Sequence, residues 1–286
     1  MRSRRHRVVL AAACAAALLY LPPRGARGEE GPERGWSDTA ELTLVLTGGN
    51  SETSTLGVSN TLKHAGEAAT FTLTAEALRA ESTIRTFVAS GSGDDVVLEE
   101  LETTEVTAER YLLGALYDRK VNQRLFWNLG LEGLRNELAG IDTRFVAQAG
   151  LGQVLAEREE ALLKLRYALT WTREEDLGGE SEDFAGLRLA AEYERGLNDS
   201  TSLGGTATID GNLDETEDLR VDWNNWLAVA MTRRLALKVS LRLQYDNQPA
   251  VVAAPVRAAD GGPESTVPVQ LDGLDTLFQA ALVVRL

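Results

Sequence analysis

A hydrolase built on a serine or threonine nucleophile needs an imidazole to take its proton, and this sequence offers two, His6 and His64. His6 lies in a leader that is expected to be removed, so His64, beside the "AGE" of residues 65–67, is the one candidate base. It reads as a solvated turn histidine. With Cys14 the single cysteine, also in the leader, His64 has no companion for a transition-metal site. Glu192 and Glu194 fall two residues apart near Arg188, a spacing that could set up an acid/base pair. Pairing with Arg or Lys in a polar interior is the simpler use. The stretch "DGNLDETED" puts Asp210, Asn212 and Asp214 at the spacing of a calcium loop, yet Glu215 stands where that loop requires Gly and Val221 where it requires Glu. There is no phosphate-cradling glycine loop and no basic nucleic-acid face. The sequence therefore assigns no catalytic residue, no metal, no cofactor and no nucleic-acid partner.

The elements that carry these side chains show a period of two. In "ALLKLRYALTW", Leu163, Leu165, Tyr167, Leu169 and Trp171 alternate with Lys164 and Arg166. In "LALKVSLRLQY", Leu235, Leu237, Val239, Leu241, Leu243 and Tyr245 alternate with Lys238, Ser240, Arg242 and Gln244. Twelve such segments are expected, at 36–46, 54–63, 69–81, 102–117, 125–134, 144–153, 161–172, 184–195, 201–210, 219–231, 235–245 and 276–286. "TGGNSET" at residues 47–53 has the Gly, Asn and Ser that reverse a chain between the first two.

Connections after even segments are short ("HAGEA", "DRKVNQR", "GLNDS", "TRR"). Several after odd segments are long, among them 82–101 and 246–275. Ten aromatics share the apolar parity and gather near the two ends: Trp36, Phe71, Tyr117, Trp127 and Tyr193 at one, Phe145, Trp171, Trp223, Tyr245 and Phe278 at the other. Together these features predict a closed antiparallel up-and-down transmembrane β-barrel of about twelve strands, with short periplasmic turns, long external loops and an apolar face towards lipid. A soluble barrel sealed by bulky residues is the competing architecture. It would place its large side chains inside and polar ones outside.

The chain opens "MRSRRHRVVLAAACAAALLYLPPRGARGEE": a basic head, an apolar run too short for a membrane helix, a Pro-Pro break and small residues at Ala26 and Gly28. We read residues 1–28 as a cleaved signal peptide, 29–35 as a polar spacer and 36–286 as one barrel. Lipidation of Cys14 is the rival reading, but Ala11 replaces the usual Leu and the apolar run continues past it. Cleavage leaves 23 basic against 43 acidic residues, with no thiol. The connections after odd segments sum to −18 and the short turns to zero, so the excess acid projects to one side. Divalent cations could bridge that surface to lipopolysaccharide phosphates. Outer-membrane lipids, lipopolysaccharide and the barrel-assembly machinery are the expected partners.

"WSDTAELTLVLTGGNSETSTLGVSNTL", through Trp36, Gly49, Asn50, Ser51 and Thr53, resembles the start of domain of unknown function 481, the YdiY-like salt-induced outer-membrane protein family. "LRLQYDNQPA" and "LDGLDTLFQAALVVRL", with Tyr245, Asp246, Pro249 and Asp275, are similar to its end. The resemblance implies a Gram-negative outer-membrane barrel and a link to salt stress. The function expected is non-catalytic: a small, porin-like pore or an envelope-integrity protein with acidic external loops. Its lumen is expected to be lined by Glu41, Thr43, Lys164, Arg166, Arg188, Glu192, Lys238, Arg242 and Gln244, with Lys63, Glu76, Gln148 and Arg285 beside them. Alternatives are an outer-membrane enzyme acting on lipid or lipopolysaccharide, and a receptor or adhesin working through 246–275.

Overall fold

The computed structural model describes residues 34–47, 51–92, 95–158, 161–256 and 265–285. The leader, residues 29–33 of the spacer and residues 48–50 of "TGGNSET" lie outside the described residues. Twelve strands close into one antiparallel barrel: β1 (Gly35–Thr47), β2 (Ser51–Ala65), β3 (Ala69–Ser92), β4 (Asp95–Lys120), β5 (Leu125–Asn136), β6 (Ile141–Arg158), β7 (Ala161–Asp176), β8 (Ser181–Gly196), β9 (Thr201–Asn212), β10 (Leu219–Ala230), β11 (Leu235–Asp246) and β14 (Leu274–Arg285). The remaining two, β12 (Val251–Val256) and β13 (Ser265–Gln270), pair only with each other. Each barrel strand pairs with its neighbour in the chain, except that β14 follows β11. The ring shuts where β1 meets β14, from Thr39 opposite Arg285 to Leu42 opposite Leu282.

The two-residue period sorts the side chains. Leu42, Leu44, Leu56, Val58, Leu129, Leu131 and Leu169 stand exposed on the outside, while Thr43, Asn128 and Thr170, at the intervening positions, are buried within. So extensive an exposed aliphatic surface around a polar interior is the surface of a transmembrane barrel, and closure satisfies the backbone that lipid could not. Aromatic pairs mark both ends of this belt. Tyr117 and Trp127 lie 5.5 Å apart near the short turns, and Phe145 and Trp171 lie 6.2 Å apart near the long connections.

The short turns close on side chains that replace backbone partners. Asn122 Oδ1 accepts from the N–H groups of Arg124 and Leu125, Asn198 Oδ1 from those of Ser200 and Thr201, and Thr232 Oγ1 from those of Arg234 and Leu235. Three turns thus repeat one device, the Asx or Ser/Thr turn.

At the other end the structure corrects two expectations. Most of residues 82–101 is strand, not loop: β3 and β4 stay paired out to Ser92 opposite Asp95. Their outer neighbours stop earlier, β2 at Ile84 and β5 at Arg110, so a two-stranded ribbon continues beyond the ring after a register shift at Ala80/Glu81. Residues 246–275, expected as an irregular loop, contain the β12–β13 hairpin. The barrel also begins one residue earlier than expected, at Gly35.

Candidate functional site: the barrel lumen

Inward side chains from strands that are not neighbours in the sheet meet across the interior. Arg166 on β7 donates to Asp118 on β4 through Nη2 at 2.8 Å and to Glu192 on β8 through Nη1 at 3.0 Å. Arg188 on β8 donates through Nε to Asp210 at 2.7 Å and through Nη1 to Gln148 on β6 at 3.1 Å; Glu132 on β5 lies 3.7 Å away. Arg242 on β11 forks onto Asp222 (Nη2 to Oδ2, 2.7 Å) and reaches Glu76 on β3 at 3.3 Å, four strands away around the ring. The same Glu76 oxygen accepts from Arg110. A single Glu174 oxygen similarly accepts from Arg144 on β6 and Arg220 on β10, and Arg220 Nε also donates to Asp218 at 3.0 Å. Bidentate and bridging guanidinium contacts of this kind hold carboxylates in fixed geometry. They compensate for desolvation because the charges are paired.

The residues singled out from sequence fall into these networks as follows. Glu41 accepts from Lys238 Nζ at 2.6 Å, and Thr43 is buried against the inner face of Gly57. Arg166 and Glu192 share one cluster, Arg188 forms another, and Arg242 and Gln244 both donate to Asp222. Gln244 Oε1 also accepts from Asn136 Nδ2 at 3.2 Å, although β11 and β5 sit diametrically opposite in the ring of twelve. Lys164 points inward with no carboxylate of the described residues at ion-pair distance. Sequence reasoning did not single out Arg110, Asp118, Glu132, Arg144, Glu174, Arg220 or Asp222. Strand parity marks each of them, but in β4 the inward Leu112 and Leu116 blur the alternation. Three inward rings were missed with them. Phe126 lies under the Arg166 guanidinium at 5.5 Å, Phe184 under Arg220 at 5.9 Å and Trp226 by Lys238 at 5.7 Å.

Among these networks lies a cavity of about 370 Å³ whose lining includes Gln148, Arg188, Asp210, Asp222, Arg242 and Asp275. Over its outer end runs the β11–β14 connection. Asn247 Nδ2 donates to the Glu217 carbonyl at 2.7 Å and Gln248 Nε2 to Glu215 at 3.1 Å, tying the connection to that of β9–β10. A Cβ added to Gly140, in the β5–β6 connection, would come within 2.6 Å of Ala250 Cβ and 3.0 Å of Leu271, so the segment spans the mouth to the opposite wall. Asp218, beneath it, is buried, and burial reinforced by the Asp246 carboxylate pushes its carboxyl up to about 6 although Arg220 donates to it.

The other residues considered for chemistry are committed elsewhere. His64 lies 4.7 Å from the Trp36 ring. Asp210 is held by Arg188, and Asn212 Oδ1 accepts from the Asp214 and Glu215 N–H groups, so neither stands free as a calcium ligand.

Fold and lumen together define a transmembrane β-barrel with an ion-paired polar interior. The chain belongs to the family of proteins of unknown function DUF481, whose pattern matches residues 40–253. No curated protein sequence matches it. Among solved structures it is similar to an outer membrane channel from Pseudomonas putida F1, at 12% identity and a TM-score of 0.43, covering 93% of this chain and 100% of that one. It is also similar to the NanC porin, at 11% identity and a TM-score of 0.41, covering 87% of this chain and 97% of the other. The KdgM porin solved with disordered oligogalacturonate is a further neighbour, at 10% identity and a TM-score of 0.38, covering 87% and 97%.

Proposed function

We propose that this protein is a narrow, non-catalytic pore of the bacterial outer membrane, kept tight by cross-lumen ion pairs and covered at its external mouth by Asn247, Gln248, Ala250 and Leu271 of the β11–β14 connection. The observation that carries the reading is the interior itself. Arginine–carboxylate networks surround a cavity of about 370 Å³ in place of a close-packed core. Arg110 Nε, Arg144 Nη2 and Asn128 Nδ2 are buried donors with no partner among the described residues, and buried polar groups of that kind are satisfied by water or a polar solute. Export by the N-terminal leader, and contact of the acidic external connections with lipopolysaccharide through divalent cations, belong to the same proposal. The salt-stress link rests on the family resemblance.

The test is single-channel recording of the refolded, leader-free protein in planar bilayers, beside a variant in which Ala250–Leu271 is replaced by a short Gly-Ser turn. We expect small unitary steps in the wild type and severalfold larger ones in the variant. A variant that folds as a barrel yet never conducts would overturn the pore.

A further inference from the structure

The ion pairs described above do not use every charge in the lumen, and the unused ones are sorted by position. At the end bearing the short turns, Lys63 on β2 and Lys164 on β7 project inward from walls five strands apart, and neither has a carboxylate of the described residues at ion-pair distance. Glu192 is near enough to act on both, but its bond goes to Arg166. Arg285 and Lys120 stand with Glu194 and Glu157 at the rim of that end, and with the two lysines they leave it basic.

At the opposite end the balance is reversed. Asp272 and Asp275 line the cavity mouth with no cation of the described residues at ion-pair distance. Around them, among the described residues, Glu174, Asp218 and Asp246 share only Arg144 and Arg220, and Glu182 adds a further carboxylate with no cation at ion-pair distance. Between the ends, Arg110 and Arg242 are matched by Glu76 and Asp222. The lumen is therefore acidic at one end, balanced in the middle and basic at the other.

We propose that this axial segregation makes the lumen a filter against ions of either sign, with Asp272 and Asp275 as the determinants at one mouth and Lys63 and Lys164 at the other, so that its cargo is small neutral and zwitterionic solutes. The inference rests on the pore reading above. A cation gains at the acidic mouth and is repelled at the basic one, and an anion meets the reverse. Charged groups of one sign set such barriers over the width of a narrow lumen, where screening by bulk salt is weakest. A solute with no net charge carries no such penalty. Because the two ends differ, the current of small ions also depends on the direction of the applied voltage.

The experiment compares three proteins in planar bilayers under a KCl gradient: the wild type, Asp272→Asn/Asp275→Asn and Lys63→Gln/Lys164→Gln. None of the four residues makes an ion pair within the described chain, so the variants should fold, which heat-modifiable gel migration checks. The wild type should rectify and reverse close to zero. Removing the aspartates should move the reversal potential towards that of chloride, and removing the lysines towards that of potassium. Liposome swelling should be severalfold faster with glycine than with lysine or glutamate salts. Shifts of the same sign, no shift in either variant, or equal swelling rates would overturn the filter while leaving the pore intact. Absence of conductance even without Ala250–Leu271 would instead defeat the pore.

Discussion

At the short-turn end, Asn122, Asn198 and Thr232 each accept two backbone N–H groups within three residues of themselves. At the opposite end Asn136 meets Gln244 from 108 residues away, and Asn247 crosses to the carbonyl of Glu217. One end is closed by local contacts that any hairpin could make in isolation. The other adds to local turns, such as that of Asn212, contacts that exist only once the ring has formed. The turns should therefore be robust and replaceable one at a time, whereas the outer end should respond as a unit, because its charges share partners.

The largest break in that comparison is expected from Glu174. Its side chain is 8% exposed and one of its oxygens holds both Arg144 and Arg220. Glu174→Gln leaves Arg144 without an ion pair in a buried setting, which costs about 3–5 kcal/mol by the usual penalty for an uncompensated buried charge. Lys164→Gln, at the other end of the same strand, removes a charge with no ion pair among the described residues and should cost less than about 1 kcal/mol. Urea unfolding in detergent micelles separates the two. Equal losses would mean that the outer network contributes no more than an isolated lysine.

Next in size is a turn. Asn198→Ala removes the acceptor for the Ser200 and Thr201 N–H groups, and Ser200 Oγ loses its partner as well. A solvated turn can replace these bonds with water, so a loss of about 1 kcal/mol is expected. Hydrogen exchange should rise at the ends of β8 and β9 only. Exchange spreading to the Arg188–Asp210 level would show that the two ends are less separable than their contacts suggest.

What sequence made legible follows the same division. The strands, their parity and the short turns all rest on interactions between residues close in the chain, and "LALKVSLRLQY" or "GLNDS" declares them directly. Arg242 and Gln244 could be placed inside by parity, but not Glu76 or Asn136 as their partners, because no spacing in the chain encodes a contact made across a closed ring. The β3–β4 ribbon was illegible for another reason. Beyond Ile84 the two strands pair only with each other, and "ESTIRTFVAS" carries no regular apolar alternation to declare them. The β12–β13 hairpin, with Pro255 and Pro268 inside it, has composition that reads as loop.

The smallest effect sharpens the comparison by pH. Asp218 sits in the β9–β10 connection, and burial beside Asp246 raises its carboxyl from an ordinary 3.8 to about 6. A raised acid is a liability of the folded state when ionised: above about pH 6 the fold holds a charge that the unfolded chain accommodates more easily. As pH falls from 7 through about 6 towards 3.8, the folded protein takes up the proton first, and the outer end gains stability over that window. Asp218→Asn should flatten this dependence and leave the short-turn end unaffected, because among the described residues no carboxylate there is tied to the β9–β10 connection. Hydrogen exchange of the Asn212–Leu219 backbone between pH 7 and pH 5, corrected for intrinsic rates, measures it. Protection that falls on acidification in the wild type would reverse the sign, and would mean that the Arg220 ion pair, not burial, governs this carboxyl.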